Sequence, residues 1–292
     1  MSNENFMRRY IMKCGKMGGN GFEIGNIKSA METALHVSFS IEKSDSENPN
    51  DAKIQVWNLS DFNIRTLESK DCVVELRAGY GDNIALLIVG NVTSVVTTMS
   101  NADRMTELTV VDGRVALRDT VISMSLNGRI STKELYQRIA NAMGMSIVFA
   151  SELSFPMMPN GFSYVGKAKN ALQKIANYCN HNWSIQNQVL QITVPGRPIS
   201  NRGYLLTSET GLLGIPKRIT IESGEEKING WEVEYFLNGA IGINDIVQLK
   251  SKVASGYFRV HKVTIDGDNL EGDWICTAEL IEVKADSKLD SM

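Results

Sequence analysis

The sequence predicts a mainly β protein in which two β modules flank a small α+β segment. Three observations lead there. Alternating apolar residues form a similar pattern twice, near residue 90 and near residue 262. The stretch between the two copies switches to a helical period. Glycine, asparagine and aspartate collect between the alternating runs, where turns belong. The first copy reads Val74-Glu-Leu76, Val89-Gly-Asn-Val92-Thr93 and Glu107-Leu108-Thr-Val110. The second reads Val247-Gln-Leu249, Val260-His-Lys-Val263-Thr264 and Glu279-Leu280-Ile-Glu-Val283. Two such modules around a different insert suggest assembly geometry more than chemistry. Chance matching of alternating strands is the competing account, because alternation is a common pattern.

The expected division is 1–120 for the first module, 121–198 for the middle segment and 199–284 for the second module, with a polar, frayed tail at 285–292. In the first module, Leu35, Val37, Phe39 and Ile41 alternate with small or polar residues, which predicts a half-buried strand. Ile54 and Val56 continue the pattern. Ser60 or Asp61 can cap a short helix that turns Ile64 and Leu67 inward. Strands are expected over 72–78, 84–98 and 104–111, joined by turns at 79–83 and 99–103. In the middle segment, Ser131-Thr-Lys-Glu134 is a capping box before Leu135, Ile139 and Ala142, and Gly144 ends that helix. A short strand at 146–149, a loop at 154–161 and a strand at 162–165 follow. Ala168, Leu172, Ile175 and Ala176 mark a second helix, and a hairpin turns at Asn187-Gln188. In the second module, strands are expected over 219–222, 230–236, 246–250, 257–264 and 274–283.

Composition excludes several classes of function. The chain has 292 residues, 43% hydrophobic and 22% charged, with a net charge of −3. That is the balance of a globular protein with a sizeable core. No basic cluster exceeds a pair such as Arg8-Arg9 or Lys217-Arg218, so specific nucleic-acid binding is not expected. No apolar run approaches the ~20 residues needed to cross a bilayer, and no signal peptide is readable at the N-terminus. Cys14, Cys72, Cys179 and Cys276 have no paired spacing and read as free thiols. A zinc site built from them with His36, His181 or His261 is a remote option.

No catalytic residues and no cofactor are expected. Cys179-Asn-His181 reads as a helix end, not as a thiol–imidazole pair, since adjacent residues rarely bring sulfur and imidazole within proton-transfer reach. The Gly15–Gly21 stretch opens no helix and makes a poor phosphate cradle. Asp266, Asp268, Glu271 and Asp273 put four carboxylates in one short stretch. A calcium loop uses such oxygens, but Gly267 is misplaced for an EF-hand and Asp-Gly favours a hairpin turn, so a turn is expected and an ion site is the alternative. Methionines including Met124, Met143, Met145, Met157 and Met158 read as core filling or as an adaptable contact surface. Met157, Met158 and Lys284 of the tail are the candidate partner contacts.

Three stretches carry a family resemblance. Ile54-Gln-Val-Trp-Asn-Leu-Ser60, the short helix, Val74-Glu-Leu-Arg-Ala-Gly-Tyr80 and Leu87-Ile-Val-Gly-Asn-Val92 form the first. Asn238-Gly-Ala-Ile-Gly-Ile-Asn-Asp245, Gly256-Tyr-Phe-Arg-Val-His-Lys-Val263 and the Asp266–Trp274 turn form the second. The segment 162–194, with Ala171-Leu172 on its helix, forms the third. Together they resemble baseplate hub proteins of contractile phage tails and of tail-derived bacteriocins. The resemblance implies two tube-like β-barrel domains flanking a secretin-like α+β middle domain. It implies a homotrimer of pseudo-sixfold symmetry joining a hexameric tail tube protein to a trimeric central spike protein, with tape-measure and baseplate wedge proteins as further neighbours. It implies a virion or bacteriocin particle assembled in the cytoplasm of a bacterial host, with no membrane insertion. Competing readings are a tail-tip cell-wall hydrolase, an envelope scaffold and the hub of a non-contractile tail.

Overall fold

A computed structural model describes residues 7–16, 19–26, 34–100, 102–200, 203–223 and 226–283. The first module contains β1 (Arg8–Gly15), β2 (Gly21–Gly25), β3 (Val37–Ser44), β4 (Asp51–Trp57), α1 (Asp61–Leu67), β5 (Val73–Tyr80), β6 (Asn83–Ser100) and β7 (Asp103–Val111). α2 (Arg114–Asp119) closes the stretch expected to be the first module but packs into the core of the middle segment through Leu117. The middle segment contains β8 (Val121–Leu126), β9 (Ile130–Ser131), α3 (Thr132–Ala142), β10 (Ser146–Phe149), β11 (Met157–Met158), β12 (Phe162–Lys167), α4 (Ala168–Cys179), β13 (Asn182–Gln186) and β14 (Val189–Thr193). The second module contains β15 (Gly203–Leu206), β16 (Leu212–Ser223), β17 (Glu226–Phe236), β18 (Ile246–Lys250), β19 (Ser255–Asp268) and β20 (Trp274–Glu282). The molecule is mainly β, as the alternation predicts.

Local chemistry sets these elements. In β3, Val37, Phe39, Ile41 and Lys43 face inward while Ser40 and Glu42 face solvent, the period of two that a one-sided sheet requires. Ser60 caps α1 by accepting from the Asn63 amide at 3.2 Å, and Ile64 and Leu67 are its buried residues. Ser131 caps α3 through the Lys133 amide. Glu134 does not complete a capping box; its carboxylate pairs instead with Arg138 one turn on, at 2.7 Å. Gly144 and Asn180 take left-handed φ values of 68° and 54° where α3 and α4 end. Asn187 and Gln188 both have positive φ, the backbone of a two-residue hairpin turn.

The two β modules share one plan. In the first, the hydrogen-bonded order is β3-β4-β7-β6-β5-β1, with β2 beyond β1. In the second it is β16-β17-β20-β19-β18-β15. Both long central strands carry a bulge, at Val92/Ser94 in β6 and at Val260/Lys262 in β19. The bulges put Val92 in the place of Val260 and Thr109 in the place of Glu279, so the sequence matches of Val92 with Val263 and of Glu107 with Glu279 slip, whereas Val74 and Val247 do correspond. The copies differ at one end: β1 is antiparallel to β5, but β15 is parallel to β18.

A single antiparallel ladder welds the modules into one thirteen-stranded sheet. β3 of the first pairs with β19 of the second, from Lys262 opposite Ser44 to Asp268 opposite Ser38. Among the described residues no ladder returns from β2 to β3, so the first module is a curled sheet whose outer edge is taken by the second. One apolar core runs through both modules, including Tyr10, Ile54, Leu76, Leu108, Val260 and Trp274. The middle segment has its own core, where α3 and α4 pack over β10, β14 and β13 through Leu135, Ile139, Leu172, Ile175 and Trp183. The loop expected at 154–161 contains β11, which pairs with β9.

The weld tolerates no side chain at Gly267. A Cβ there would lie 2.3 Å from Cζ of Phe39, its partner across the ladder. Phe39 is itself held edge-on against Trp274 at 5.4 Å. Gly267→Ala is therefore expected to destabilise the protein by about 1–3 kcal/mol through overpacking. Urea unfolding checks this, and an unchanged midpoint would show that the ring has room to move.

Candidate assembly interface

The buried charged side chains Lys43, Asp112 and Arg259 lie at the seams of the chain. At one end of the β3–β19 ladder, Asp45 follows β3 and its amide donates to the His261 carbonyl at 3.1 Å. Its carboxylate receives the Arg259 guanidinium and stands 2.8 Å from Nδ1 of His261. Arg259 is buried and also donates to Asn244 Oδ1 at 2.7 Å within the second module, while its pairing with Asp45 ties that module to the first. Burial opposes ionisation of Asp45, but His261 and Arg259 together outweigh it and hold the carboxyl below its ordinary value.

At the other end of the ladder, the β19–β20 turn is clamped onto the first module. Asp268 Oδ2 meets His36 Nε2 at 2.8 Å, and the His36 ring stacks on Trp57 with centroids 3.8 Å apart. Asn269 Oδ1 accepts from the Val37 amide at 2.7 Å. Arg8 donates to the carbonyls of Asp268 and Gly272 at 2.6 and 2.8 Å. The structure places Asp266 and Asp268 in the last residues of β19 and Glu271 and Asp273 in the turn after it, so the turn falls beyond the Asp266-Gly267 pair expected to make it, which is held in the ladders to β20 and β3. Asp268 Oδ1 accepts from the amides of Leu270 and Glu271, so both of its oxygens already have partners. Among the described residues no group of three or more His, Cys, Asp or Glu is placed to hold a metal ion.

A third seam docks the middle segment. Asp112 follows β7, and its carboxylate accepts from the amides of Asn187 and Gln188 at 2.5 and 3.0 Å. Those are the two positive-φ residues of the β13–β14 turn, so one carboxylate holds a conformation that Gln188 would otherwise disfavour. Asn50 donates to Ile185 O and Gln186 Oε1, and Gln186 donates to Ser44 O. Lys43 reaches Asn187 Oδ1 at 3.3 Å. Burial pushes the Asp112 carboxyl up to about 6, against the opposing pull of the two amides and Lys43. Burial pushes Lys43 down to about 8, against the pull of Asp112.

The remaining candidates lie apart from these seams. Met157 and Met158 belong to the small β9–β11 sheet of the middle segment. Met157 is exposed, and Met158 packs against the middle core. Lys284 lies outside the described residues. The four cysteines are free, and Cys14, Cys72 and Cys276 are buried. His181 sits at the end of α4 with Nδ1 3.3 Å from the Tyr136 hydroxyl, in an aromatic setting with Phe155. His36, Asp45, Arg259 and Asp112 were not singled out as seam residues by sequence reasoning. The available signal was a charge inside an otherwise apolar strand, as in Tyr257-Phe-Arg-Val260.

This curled double module with an α+β insert is the fold of phage tail proteins and of a type VI secretion component. The chain superposes on the 43 kDa tail protein of prophage MuSo2 from Shewanella oneidensis with a TM-score of 0.61 and 9% identity, covering 94% of this chain and 97% of that one. It superposes on the tail protein from Neisseria meningitidis MC58 with a TM-score of 0.59 and 9% identity, covering 94% and 96%. An Escherichia coli type VI secretion component, described as structurally similar to the T4 bacteriophage tail proteins gp27 and gp5, matches with a TM-score of 0.56 and 10% identity over 87% of this chain and 75% of that one. No family model matches the sequence, and no curated protein matches it significantly. At these identities the likeness concerns the fold.

Two outcomes are expected. Asp112→Ala, which leaves two turn amides without their acceptor, should cost about 2–3 kcal/mol in urea unfolding. Asp112→Asn keeps an acceptor and should cost less. The pH dependence has a definite sign. The folded pKa of Asp112 is raised, so the native state keeps a proton that the unfolded chain has lost between about 4 and 6. The stability of the wild type relative to Asp112→Asn should therefore rise as pH falls from 7 to 5. A difference that stays flat across that range would show that burial does not perturb this carboxyl.

Proposed function

We propose that this chain is the structural hub of a contractile tail. In this reading it is a trimeric adapter of pseudo-sixfold symmetry joining the hexameric tail tube to the trimeric central spike. The observation that carries the reading is the weld itself. Two modules with the same strand order meet edge to edge through β3 and β19, as neighbours in a ring do. Three such chains present six like modules to a sixfold partner and three middle segments to a threefold one. The fold shared with prophage tail proteins supports the same reading.

In this reading the three-part division at 1–120, 121–198 and 199–284 separates two tube-like domains from a middle domain, with 285–292 as a tail. The role is mechanical. The hub continues the tube, seats the spike, and releases it or travels with it when the sheath contracts. Its place is the tail baseplate of a virion or bacteriocin particle, assembled in the host cytoplasm. Among the described residues no helix is long and apolar enough to cross a membrane. The charged groups that could suggest chemistry are occupied in holding the seams, which supports a non-enzymatic role. Met157, Met158 and Lys284 remain the proposed partner contacts.

Light scattering of the purified chain, alone and with the spike, tests this. Three chains of 32.3 kDa give a mass of about 97 kDa. A trimer that forms only with the spike would mean that the spike templates the ring. A monomer under both conditions would overturn the adapter reading.

A further inference from the structure

The weld inside the chain has an unused counterpart at its two ends. Beyond the bulge, β19 pairs with β20 on one side and takes β3 on the other. β6 occupies the same place in the first module. Beyond its bulge it pairs with β7 on one side, and its ladder with β5 stops at Asn91. From Ser94 onward that second edge has no partner strand among the described residues. β16 occupies the place of β3 in the second module. Among the described residues it pairs with β17 alone, which leaves its other edge without a partner strand there.

Both open edges carry exposed apolar side chains, Val96 and Met99 on β6 and Ile215 on β16, at 50%, 70% and 72% exposure. Exposed apolar edge strands are templates for pairing unless something covers them. Beside Asn91–Val95 the β6 edge opens on a cleft of about 390 Å³, walled by Lys70, Asp71, Arg114 and Arg118.

We infer that β16 of one copy pairs antiparallel with β6 of the next copy, repeating between chains the β3–β19 ladder within each chain. The number of copies rests on the ring reading above; the choice of edges rests on the strand plan. The ladders also set the register. The bulges equate Ser94 with Lys262 and Thr109 with Glu279. Thr109 and Glu279 lie opposite Lys53 and Glu232, which lie opposite Ser40 and Lys217. Because Asp266 faces Ser40 in the weld, Thr98 faces Lys217 between chains, Thr97 faces Arg218 and Val96 faces Ile219. The surface is heterologous, one edge meeting a different edge, so it propagates around a ring and does not stop at a dimer.

Cysteine pairs test the register. Successive antiparallel pairs alternate between wide and narrow spacing, so Thr97→Cys with Arg218→Cys and Val96→Cys with Ile219→Cys are both made. Thr97→Cys with Ile219→Cys serves as an off-register control. Under mild oxidation one of the two in-register double variants should become a covalent trimer, and the control should not. Mixing the two corresponding single variants should give a covalent dimer. A trimer by light scattering in which neither in-register pair cross-links overturns the edge assignment and leaves the ring reading standing. Cross-linked open ladders of many sizes support the edges and overturn the closed ring. A monomer without cross-links overturns both.

Discussion

The structure depends on the backbone ladder between β3 and β19. Without it the chain would be two curled sheets joined by an insert, each with an exposed edge. With it, the ladder and the continuous apolar core make the relative position of the two modules a property of the sheet itself. Loops alone would leave that position loose. A one-residue slip in the ladder would turn Ile41 and Ile265 to the wrong face, so the apolar pattern sets the register as well as the contact. The polar clamps at Asp45 and Asp268 sit at either end of the ladder, where a backbone pairing would otherwise fray.

Perturbed carboxyls and buried bases usually draw attention as candidates for catalysis. Here they are distributed along seams. Asp112 and Lys43 lie where the middle hairpin enters the end of the sheet, and Asp45 and Arg259 lie where the two modules meet. A buried ion pair adds little net stability compared with apolar packing, but removing one partner is costly because the other charge is stranded. Such groups discriminate the correct docking from a displaced one more strongly than they strengthen it. In the proposed hub, which would have to hold an orientation under load, that selectivity would be the useful property.

Much of this fold was legible in the sequence because its main elements obey local rules. Alternation located β3, β4, β7 and β20. The Ser60 and Ser131 caps, the Gly144 stop and the Asn187-Gln188 turn each act within a few residues. Other features depend on distant partners. β1 and β8 are set by their pairing with β5 and β12. The capping box failed in its second half because Glu134 found a nearer partner in Arg138. The repeat itself was visible, but its residue alignment slipped by three residues in β6, where Val89, Val92 and Val95 recur at equal spacing and let Val260-His-Lys-Val263 fit in two frames, and by two residues in β7. The seam residues were hidden because Asp112 and Asn187 are far apart in sequence and meet only through topology.

The differences between the two modules carry as much information as their likeness. The shared strand order runs from the β3 or β16 edge through the long central strand, which is the part that meets a neighbouring module. The copies diverge at the opposite end, where β1 and β2 form an antiparallel extension and β15 a short parallel strand, and where only one module carries the middle segment at the end of its β7. In the proposed ring, the like parts would meet their neighbours in a nearly sixfold way, and the unlike parts would alternate around it in a threefold way. Two copies fused in one chain can diverge at one end while staying alike at the other. Six copies of a single module cannot, because every change would appear six times. A partner of either symmetry can then be met by one sequence, without either interface being compromised for the other.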